Sequence, residues 1–342
     1  MGDYYSQLIL PEDFNKLIAE LQNLNVNFDS KGITFPSRIE SSDYQGIGKI
    51  KVIEDMSAID LNPMLGYEYI KNSNYIISGY DESLISIPAL EGTGYIFAHA
   101  LVILNSEKYI PIVKLSFNFY TKSKILIGKS NLIKYTENQS IQYKIDYMMT
   151  RNELIIKYNP SNSIILIDGP LIGGQESIYN IVLNSELLKK KVIPVFIVKN
   201  SYSSLLVDNL YEGKYNSDFE FAFKILKKGQ RTGLYYYQDE YNSNNVKIFT
   251  YLKPYDNVSP IRLEVHEDTY KSYKDQLNKI FNIIYYLLIS QGDVKNPQPK
   301  IVAIAEDYAR EVLKAVNMDN IIFKSGLIPT INYTRFGWGK WG

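Results

Sequence analysis

Ser163–Leu171 has the sequence SIILIDGPL, which begins with a short apolar run that has no polar alternation. Four consecutive aliphatic residues, 164–167, are typical of a strand buried on both faces, as at the centre of a sheet that helices cover. Asp168 follows this run, and Gly169-Pro170 ends the strand. Open α/β sheets bind ligands beyond the carboxyl ends of their strands. Asp168 is therefore a candidate site residue, although an Asp before Gly is also a common turn residue.

The composition narrows the kinds of site that the chain can build. Its 342 residues, 45% of them hydrophobic, are enough for a sizeable core in one large domain or two. Lys plus Arg and Asp plus Glu number 37 each, so a polyanion would need a local basic surface. The sequence has no Cys and only two His, His99 and His266. Disulfides and thiolate sites are therefore excluded, and carboxylates are the main groups left for catalysis. His99 lies within an apolar strand, where a hydrogen-bonded core residue is expected.

Targeting and membrane signals are missing from the sequence. The first residues do not combine a basic segment with an apolar core, as a secretory signal does. No uninterrupted apolar run approaches membrane-spanning length. We therefore expect a cytoplasmic protein that does not bind membranes.

Hydrophobic spacing predicts an α/β order of elements. Three strands joined by short turns suggest an antiparallel meander, and the spacing then becomes helical before the central strand. Residues 202–260 are expected to form short helices and polar, Tyr-rich turns. The other predicted elements are a helix over 11–24, strands over 75–81, 95–104 and 109–119, a helix over 141–158, a strand ending at Asp168, a helix over 175–191, strands over 192–198 and 260–265, and helices over 269–290 and 300–316.

This order matches the core of the ribonuclease-H-like fold. We therefore predict an α/β fold with a ribonuclease-H-like mixed sheet flanked by helices and extended by N- and C-terminal helices. One domain over 1–342 is expected. It would comprise a helical or irregular extension at 1–70, the core with insertions at 71–320 and a tail at 321–342.

Three acids fall at informative places in this order. Asp81 ends the first predicted strand, Glu153 lies on the helix, and Asp168 ends the fourth strand, which runs beside the first in this fold. Carboxylates brought this close together need a cation. Oxygen ligands alone suit Mg²⁺ or Mn²⁺, and two such ions could hydrolyse a phosphodiester. Taken singly, each acid also suits a turn or a solvated helix face.

The sequence resembles the NurA nucleases, the partners of the HerA hexameric ATPase in DNA end resection. The resemblance covers roughly residues 75–310. In the first strand, Glu82 stands where the family's Asp-Gly-Ser has glycine. The matching segments are YDES at 80–83, Glu153, IILIDGPL at 164–171, VIPVFIVKNS at 192–201, IRLE at 261–264, and QP at 298–299 followed by AEDYAR at 305–310.

The resemblance implies a Mn²⁺- or Mg²⁺-dependent DNA nuclease. It would act in 5′-to-3′ resection of DNA ends during double-strand break repair, as a homodimer that encircles DNA and binds a HerA-type ATPase. Asp81, Glu153 and Asp168 would be metal ligands. Lys199 is either a surface lysine or a phosphate contact, and Arg262 either pairs with Glu264 or contacts DNA.

Two departures from the family fall in the last segment. Gln298 stands where the family usually has tyrosine, and Glu306 where it has histidine. Glu306 could be a substituted fourth catalytic ligand, since glutamate binds Mg²⁺ and Mn²⁺. The same departures could instead mark a weakened relative, an adaptor that binds DNA or the ATPase without cleaving. A phosphatase acting on small phosphoesters would also suit the carboxylates, but not the family order.

Both tryptophans of the chain lie between Thr334 and Gly342, separated by glycines. Tryptophan is the residue most enriched at interface hot spots, often with arginine beside it. We expect Phe336, Trp338 and Trp341 to dock on a second protomer or on the ATPase. Packing against their own subunit is the alternative.

Overall fold

The computed structural model of the chain describes residues 42–44, 48–54, 58–72, 76–105, 108–128, 130–210, 214–240, 242–316, 324 and 326–330. All of them belong to one unit, Phe35–Gly342. The helix predicted over 11–24 lies outside the described residues. The same is true of Phe336, Trp338 and Trp341.

Strands and α-helices alternate only in the middle of the described ranges, and elsewhere several strands follow one another. The strands are β1 (Ser42–Tyr44), β2 (Gly48–Val52), β3 (Ile59–Asp60), β4 (Ile76–Ala89), β5 (Gly92–Asn105), β6 (Lys108–Thr121), β7 (Ile133–Tyr135), β8 (Ser163–Asp168), β9 (Ile193–Val198), β10 (Gln230–Arg231), β11 (Tyr235–Gln238), β12 (Val246–Lys253) and β13 (Ile261–His266). The helices are α1 (Pro63–Asn72), α2 (Gln139–Tyr158), α3 (Ser177–Lys189), α4 (Leu205–Leu210), α5 (Asp218–Ile225), α6 (Glu267–Gln291) and α7 (Lys300–Lys314). None of these helices could cross a lipid bilayer, given its length and polarity.

Local sequence signals set several helix ends. The Asn138 side chain accepts a hydrogen bond from the Ile141 amide and so caps the start of α2. Ser217 caps α5 in the same way, by accepting from the Glu220 amide. Gly292, with a φ of 80°, ends α6 in the left-handed conformation that glycine adopts most easily.

The strands of the described residues form one mixed sheet. Its order is β1-β2-β11-β12-β13-β9-β8-β4-β5-β6-β7, and β10 pairs with β12 and β3. Strands β4, β5 and β6 form an antiparallel meander, and β8 lies parallel between β4 and β9. The order β6-β5-β4-β8-β9, with α2 leading into β8, is the ribonuclease-H-like core. The predicted fold class is confirmed.

The two faces of this core carry different helices. Ile77, Ile164 and Leu166 pack with Ile301 and other residues of α7 and α6 in one apolar cluster. The alternate strand residues, among them Ile165 and Ile167, pack against α2 and α3 in a second cluster. A side chain of β4 or β8 therefore meets α7 or α2 according to its place in the alternation.

The sequence interpretation was wrong in two respects. Residues 202–260 contain three strands, β10, β11 and β12, in place of turns, and β12 is buried along its whole length. Its pattern was obscured by polar residues that are paired inside the protein, such as Lys247, which contacts Glu264 at 2.6 Å. Strand β4 also continues beyond Asp81 to Ala89, because β5 pairs with it over that whole length.

Candidate functional site

Two aspartates lie side by side where β8 ends. The last paired residues of β4 and β8 are Tyr80 and Ile167, so Asp81 and Asp168 occupy the next position on each strand. Both continue the alternation that faces α7. Their side chains are largely buried, with 6% of Asp81 and 22% of Asp168 exposed. The predicted convergence of Asp81 and Asp168 is therefore present, although Asp81 lies within β4 and not at its end.

Lys199 brings a cation to these aspartates. It follows β9, the next strand of the sheet, on the face that Val195 and Ile197 share with α7. Its Nζ lies 3.2 Å from Asp168 Oδ1 and 3.9 Å from Asp81 Oδ2. Three neighbouring strands thus deliver two carboxylates and one ammonium to a single edge of the sheet.

Helix α7 completes the group with Glu306. The Glu306 Oε2 atom lies 4.0 Å from Lys199 Nζ. Gln298, just before α7, links the two: it accepts from Lys199 at 3.0 Å and donates to Glu306 Oε2 at 2.7 Å. Arg310, one turn further along the helix, pairs with the other Glu306 oxygen. Gln298 and Glu306, the two departures that the resemblance indicated in the last segment, therefore both lie at this group of charged residues.

Burial and charge shift the ionisation of the central groups. Burial, together with the charges of Asp168 and Glu82, raises the pKa of Asp81 to about 8. Burial also raises the pKa of Asp168, against the opposing effect of Lys199. Burial alone would lower the pKa of Lys199, but the carboxylates of Asp168, Asp81 and Glu306 outweigh it and raise that pKa. The site therefore favours a cation and disfavours unpaired negative charge.

Two carboxylate oxygens in this group, Asp81 Oδ2 and Asp168 Oδ1, are buried and have no hydrogen-bond donor. The contact between Asp168 Oδ1 and Lys199 is close enough for a hydrogen bond but lacks its geometry, so it is an ionic contact. The unpartnered carboxylate oxygens of Asp81 and Asp168, together with the nearby Glu306 carboxylate, are a donor set that suits Mg²⁺ or Mn²⁺. As the side chains stand, no three His, Asp or Glu of the described ranges have metal-binding spacing. The Lys199 ammonium lies between the carboxylates of Asp81, Asp168 and Glu306.

Glu153 is not brought to this group, contrary to our prediction. Its side chain is 66% exposed and pairs with Lys114 at 3.0 Å. Helix α2 covers the face of the sheet opposite to α7, and it turns Leu154 and Ile155 towards the core. Glu153 therefore points to solvent from the wrong side of the sheet.

Arg262 is in the ion pair that was one of its two predicted roles. The guanidinium is buried, and its Nε lies 2.7 Å from Glu264 Oε1. Glu264 also pairs with Lys247 and accepts from the Leu171 amide at 2.8 Å, which fastens the loop after β8 to β13, two strands away in the sheet. This position leaves Arg262 unable to contact DNA without breaking the pair.

Glu82 is a residue of the site region that the sequence interpretation passed over. Its amide donates to Asp81 Oδ1 at 2.7 Å and so helps to orient that carboxylate. Its own side chain points to the α2 face. Burial raises the pKa of Glu82, against hydrogen bonds and charge from Tyr147, Arg151 and Tyr80. Side chains of a strand alternate between its two faces. This alternation could have predicted that Asp81 and Glu82 point to opposite faces of the sheet.

His99 is the buried, hydrogen-bonded core residue that its apolar surroundings predicted. Its Nδ1 lies 2.7 Å from the Tyr80 hydroxyl, and its side chain is fully enclosed. Burial, with the charges of Arg151 and Lys114, lowers the pKa of His99 to about 3. The imidazole therefore stays neutral in the folded protein at ordinary pH.

Comparison with known proteins gives a family match. A family model described as the NurA domain matches residues 77–310. Similar solved structures include the NurA nuclease from Sulfolobus solfataricus (12% identity, TM-score 0.49, 74% of this chain and 86% of that chain covered). A NurA bound to dAMP and manganese (9% identity, TM-score 0.38, 72% and 89% covered) and the endonuclease V from Bacillus subtilis (12%, 0.39, 75% and 91%) are also similar. None of the curated proteins matches the chain.

Proposed function

The chain belongs to the NurA family, and on this premise we propose that it is a metal-dependent nuclease that hydrolyses phosphodiester bonds in DNA. The observation that carries the proposal is the pair Asp81 and Asp168. Two adjacent, largely buried carboxylates with unpartnered oxygens are unfavourable unless a cation lies between them. Ligand-binding positions in sheets of this kind lie at such strand ends.

Asp81 and Asp168 would hold the metal, with Glu306 as a third oxygen ligand in place of the family's histidine. A bound Mn²⁺ or Mg²⁺ supplies an activated water and charge stabilisation for the leaving oxygen. The chain's own groups position these ligands. The Glu82 amide orients Asp81, and Gln298 fixes one oxygen of Glu306. Lys199 supplies a cation that can contact a DNA phosphate.

The biological role follows from the family resemblance. We place the chain in 5′-to-3′ resection of DNA ends during double-strand break repair in the cytoplasm, as a homodimer that works with a HerA-type hexameric ATPase. The support is the order and spacing of the motifs between residues 77 and 310.

Cleavage of end-labelled DNA tests the proposal. Single- and double-stranded substrates are incubated with the protein in Mn²⁺, in Mg²⁺ and with EDTA. We expect cleavage with a divalent ion and none with EDTA, and no turnover of a small chromogenic phosphoester. Folded protein that leaves DNA intact in both metals would refute the nuclease, and hydrolysis of the small ester alone would favour the phosphatase.

A specific observation supports the second candidate, an adaptor without nuclease activity. The helical carboxylate Glu153 is absent from the site, and Lys199 lies where the carboxylates converge. The described ranges hold no three-ligand group at metal-binding spacing. The adaptor would bind DNA or the ATPase with unchanged affinity whether or not metal is added, and would not cleave.

A further inference from the structure

We propose that the Lys199 ammonium is a built-in cation that holds the Asp81–Asp168 site in the metal-free protein and is displaced when a divalent metal binds. This inference rests on the proposed metal-dependent function and adds a competition between lysine and metal for the same carboxylates. Metal binding would thus be coupled to release of the lysine side chain.

The first support is the position of the ammonium. One Nζ atom lies within 4.0 Å of carboxylate oxygens from β4, β8 and α7, which are Asp81, Asp168 and Glu306. The nearest of them, Asp168 Oδ1, is 3.2 Å away. A divalent ion bridging Asp81 and Asp168 would need the space that this ammonium fills.

The second support is the charge of the group. Three carboxylates converge, and the described cations in contact with them are Lys199 and Arg310, so the group carries one net negative charge when all are ionised. Adding a divalent ion while the ammonium stays would place two cations side by side in a partly buried site. Their repulsion favours the exchange of one cation for the other.

The third support is that the Lys199 side chain can move from the site to solvent. Its side chain is 24% exposed, and it lies on the segment just after β9, so it can rotate to solvent without a change in the sheet. A lysine is a compact charge on a flexible stem, which suits such a movement. Gln298 holds the ammonium in the inward position through its Oε1 at 3.0 Å.

These features distinguish Lys199 from Lys247, another lysine that contacts a buried carboxylate. Lys247 also contacts a buried carboxylate, but both partners there are almost completely enclosed, and Glu264 has Arg262 and the Leu171 amide as well. That lysine belongs to a closed structural network. Lys199 instead covers two aspartate oxygens that have no other partner.

The experiment is a calorimetric titration of the full chain with Mn²⁺ at fixed pH, alongside thermal unfolding in EDTA. Lys199→Met keeps a side chain of similar length and removes the charge. If the ammonium fills the site in roughly nine molecules of ten, its removal should tighten Mn²⁺ binding about tenfold. The same variant should unfold at a lower temperature in EDTA, and Mn²⁺ should raise that temperature more than in the wild type.

Two further variants make the result decisive. Lys114→Met removes a lysine that pairs with Glu153 on the opposite face of the sheet, and should leave Mn²⁺ affinity unchanged. Lys199→Gln also removes the ammonium but keeps a polar side chain in this partly exposed position, and should tighten Mn²⁺ binding to a similar degree. It decides the question if Lys199→Met does not fold.

The outcomes distinguish this inference from the proposed function. If the wild type binds Mn²⁺ with the same affinity as both site variants, or more tightly, the exchange of lysine for metal is wrong. The proposed nuclease activity is not affected by that result. Absence of Mn²⁺ binding in the wild type and in every variant overturns the metal site itself, and the exchange with it.

Discussion

Consecutive acids in β4 have opposite environments because strand side chains alternate between faces. Asp81 faces α7, where Lys199 approaches its Oδ2, whereas Glu82 faces α2 among tyrosines. One step along the strand therefore places one carboxylate in the candidate site and the next on the opposite face of the sheet. The same alternation puts His99 beside Glu82 across the β4–β5 pair.

The stability of the protein should depend on pH through His99. Its pKa falls to about 3 in the folded protein, whereas the unfolded chain has the ordinary value of 6.5. Below pH 6.5 the unfolded chain takes up a proton that the folded protein does not. The contribution of His99 to the free energy of unfolding should therefore fall as the pH drops from 6.5 towards 3, by up to about 1.4 kcal/mol per pH unit.

Urea unfolding between pH 4 and pH 7 measures this effect. The His99→Gln variant should lose that part of the slope. Tyr80→Phe is the matched control: it removes the 2.7 Å contact to Nδ1 but keeps the imidazole, so it should keep the slope. Equal slopes in wild type and His99→Gln would show that His99 is not held neutral.

Arg262 should contribute to the stability of the folded protein and not to DNA binding. Arg262→Gln leaves Glu264 buried with one cationic partner fewer, which should lower the free energy of unfolding by about 3 kcal/mol. DNA affinity of the folded variant, and its dependence on salt, should not change. The opposite result would be a variant of unaltered stability whose DNA binding depends less on salt, by about one phosphate contact. That result would show that Arg262 contacts DNA.

At the scale of elements, the site depends on how closely α7 approaches β4. A Cβ atom at Gly79 would lie 2.8 Å from the backbone carbon of Ile301, so the helix packs directly on the glycine. Glu306 is carried by the same helix. The distance between Glu306 and the aspartates is thus set by a contact more than one helical turn away.

Gly79→Ala should push α7 outward, cost about 1–3 kcal/mol in the free energy of unfolding, and slow DNA cleavage. Gly94→Ala on β5 is the control, since its new Cβ would meet side-chain ring atoms, of Phe117 at 3.1 Å and of Phe119 at 3.5 Å, and not the backbone of a helix. It should affect stability less and leave the rate of cleavage by folded protein unchanged. Equal effects of the two variants would contradict the role assigned to this contact. Denaturant unfolding and single-turnover cleavage measure both quantities.

The core strands were predictable because their apolar runs are long and uninterrupted, as in 164–167. Strand β12 was not, since its polar residues Lys247 and Thr250 are satisfied by partners outside the strand, 17 and 18 residues away. The same limit explains why the position of Glu153 was predicted wrongly. Its spacing from Asp168 is a property of the sequence, but which helix covers which face of the sheet is a tertiary property. Asp81 and Asp168 could be predicted because both follow from strand order alone.

For the whole molecule, the family order of motifs predicted the architecture better than any single motif. The match over residues 77–310 confirms the family, and the sheet order confirms the fold class. The exchange of histidine for Glu306 and of tyrosine for Gln298 could be seen in the sequence. Their joint contact with Lys199 could not, because the lysine arrives from a different strand.

The interface proposed for the C-terminal tail involves residues outside the described ranges. We predict that truncation after Tyr333, which removes Phe336, Trp338 and Trp341, weakens the homodimer or its complex with a HerA-type ATPase, since buried aromatic anchors carry much of the binding energy at interfaces. Sedimentation velocity and a pull-down with the cognate ATPase measure the two contacts. An unchanged dimer with unchanged ATPase affinity would rule out the tail as an interface.

The central claim is that Asp81 and Asp168 form the metal site of a nuclease, and the most direct measurement is Mn²⁺-dependent cleavage of single-stranded DNA by wild type and Asp168→Asn. The variant keeps the size of the side chain and removes its charge. Loss of a metal ligand should remove several kcal/mol of transition-state stabilisation, so cleavage should fall by on the order of a hundredfold or more. Circular dichroism should show that the variant is folded. Cleavage at the wild-type rate by folded Asp168→Asn protein would contradict the account.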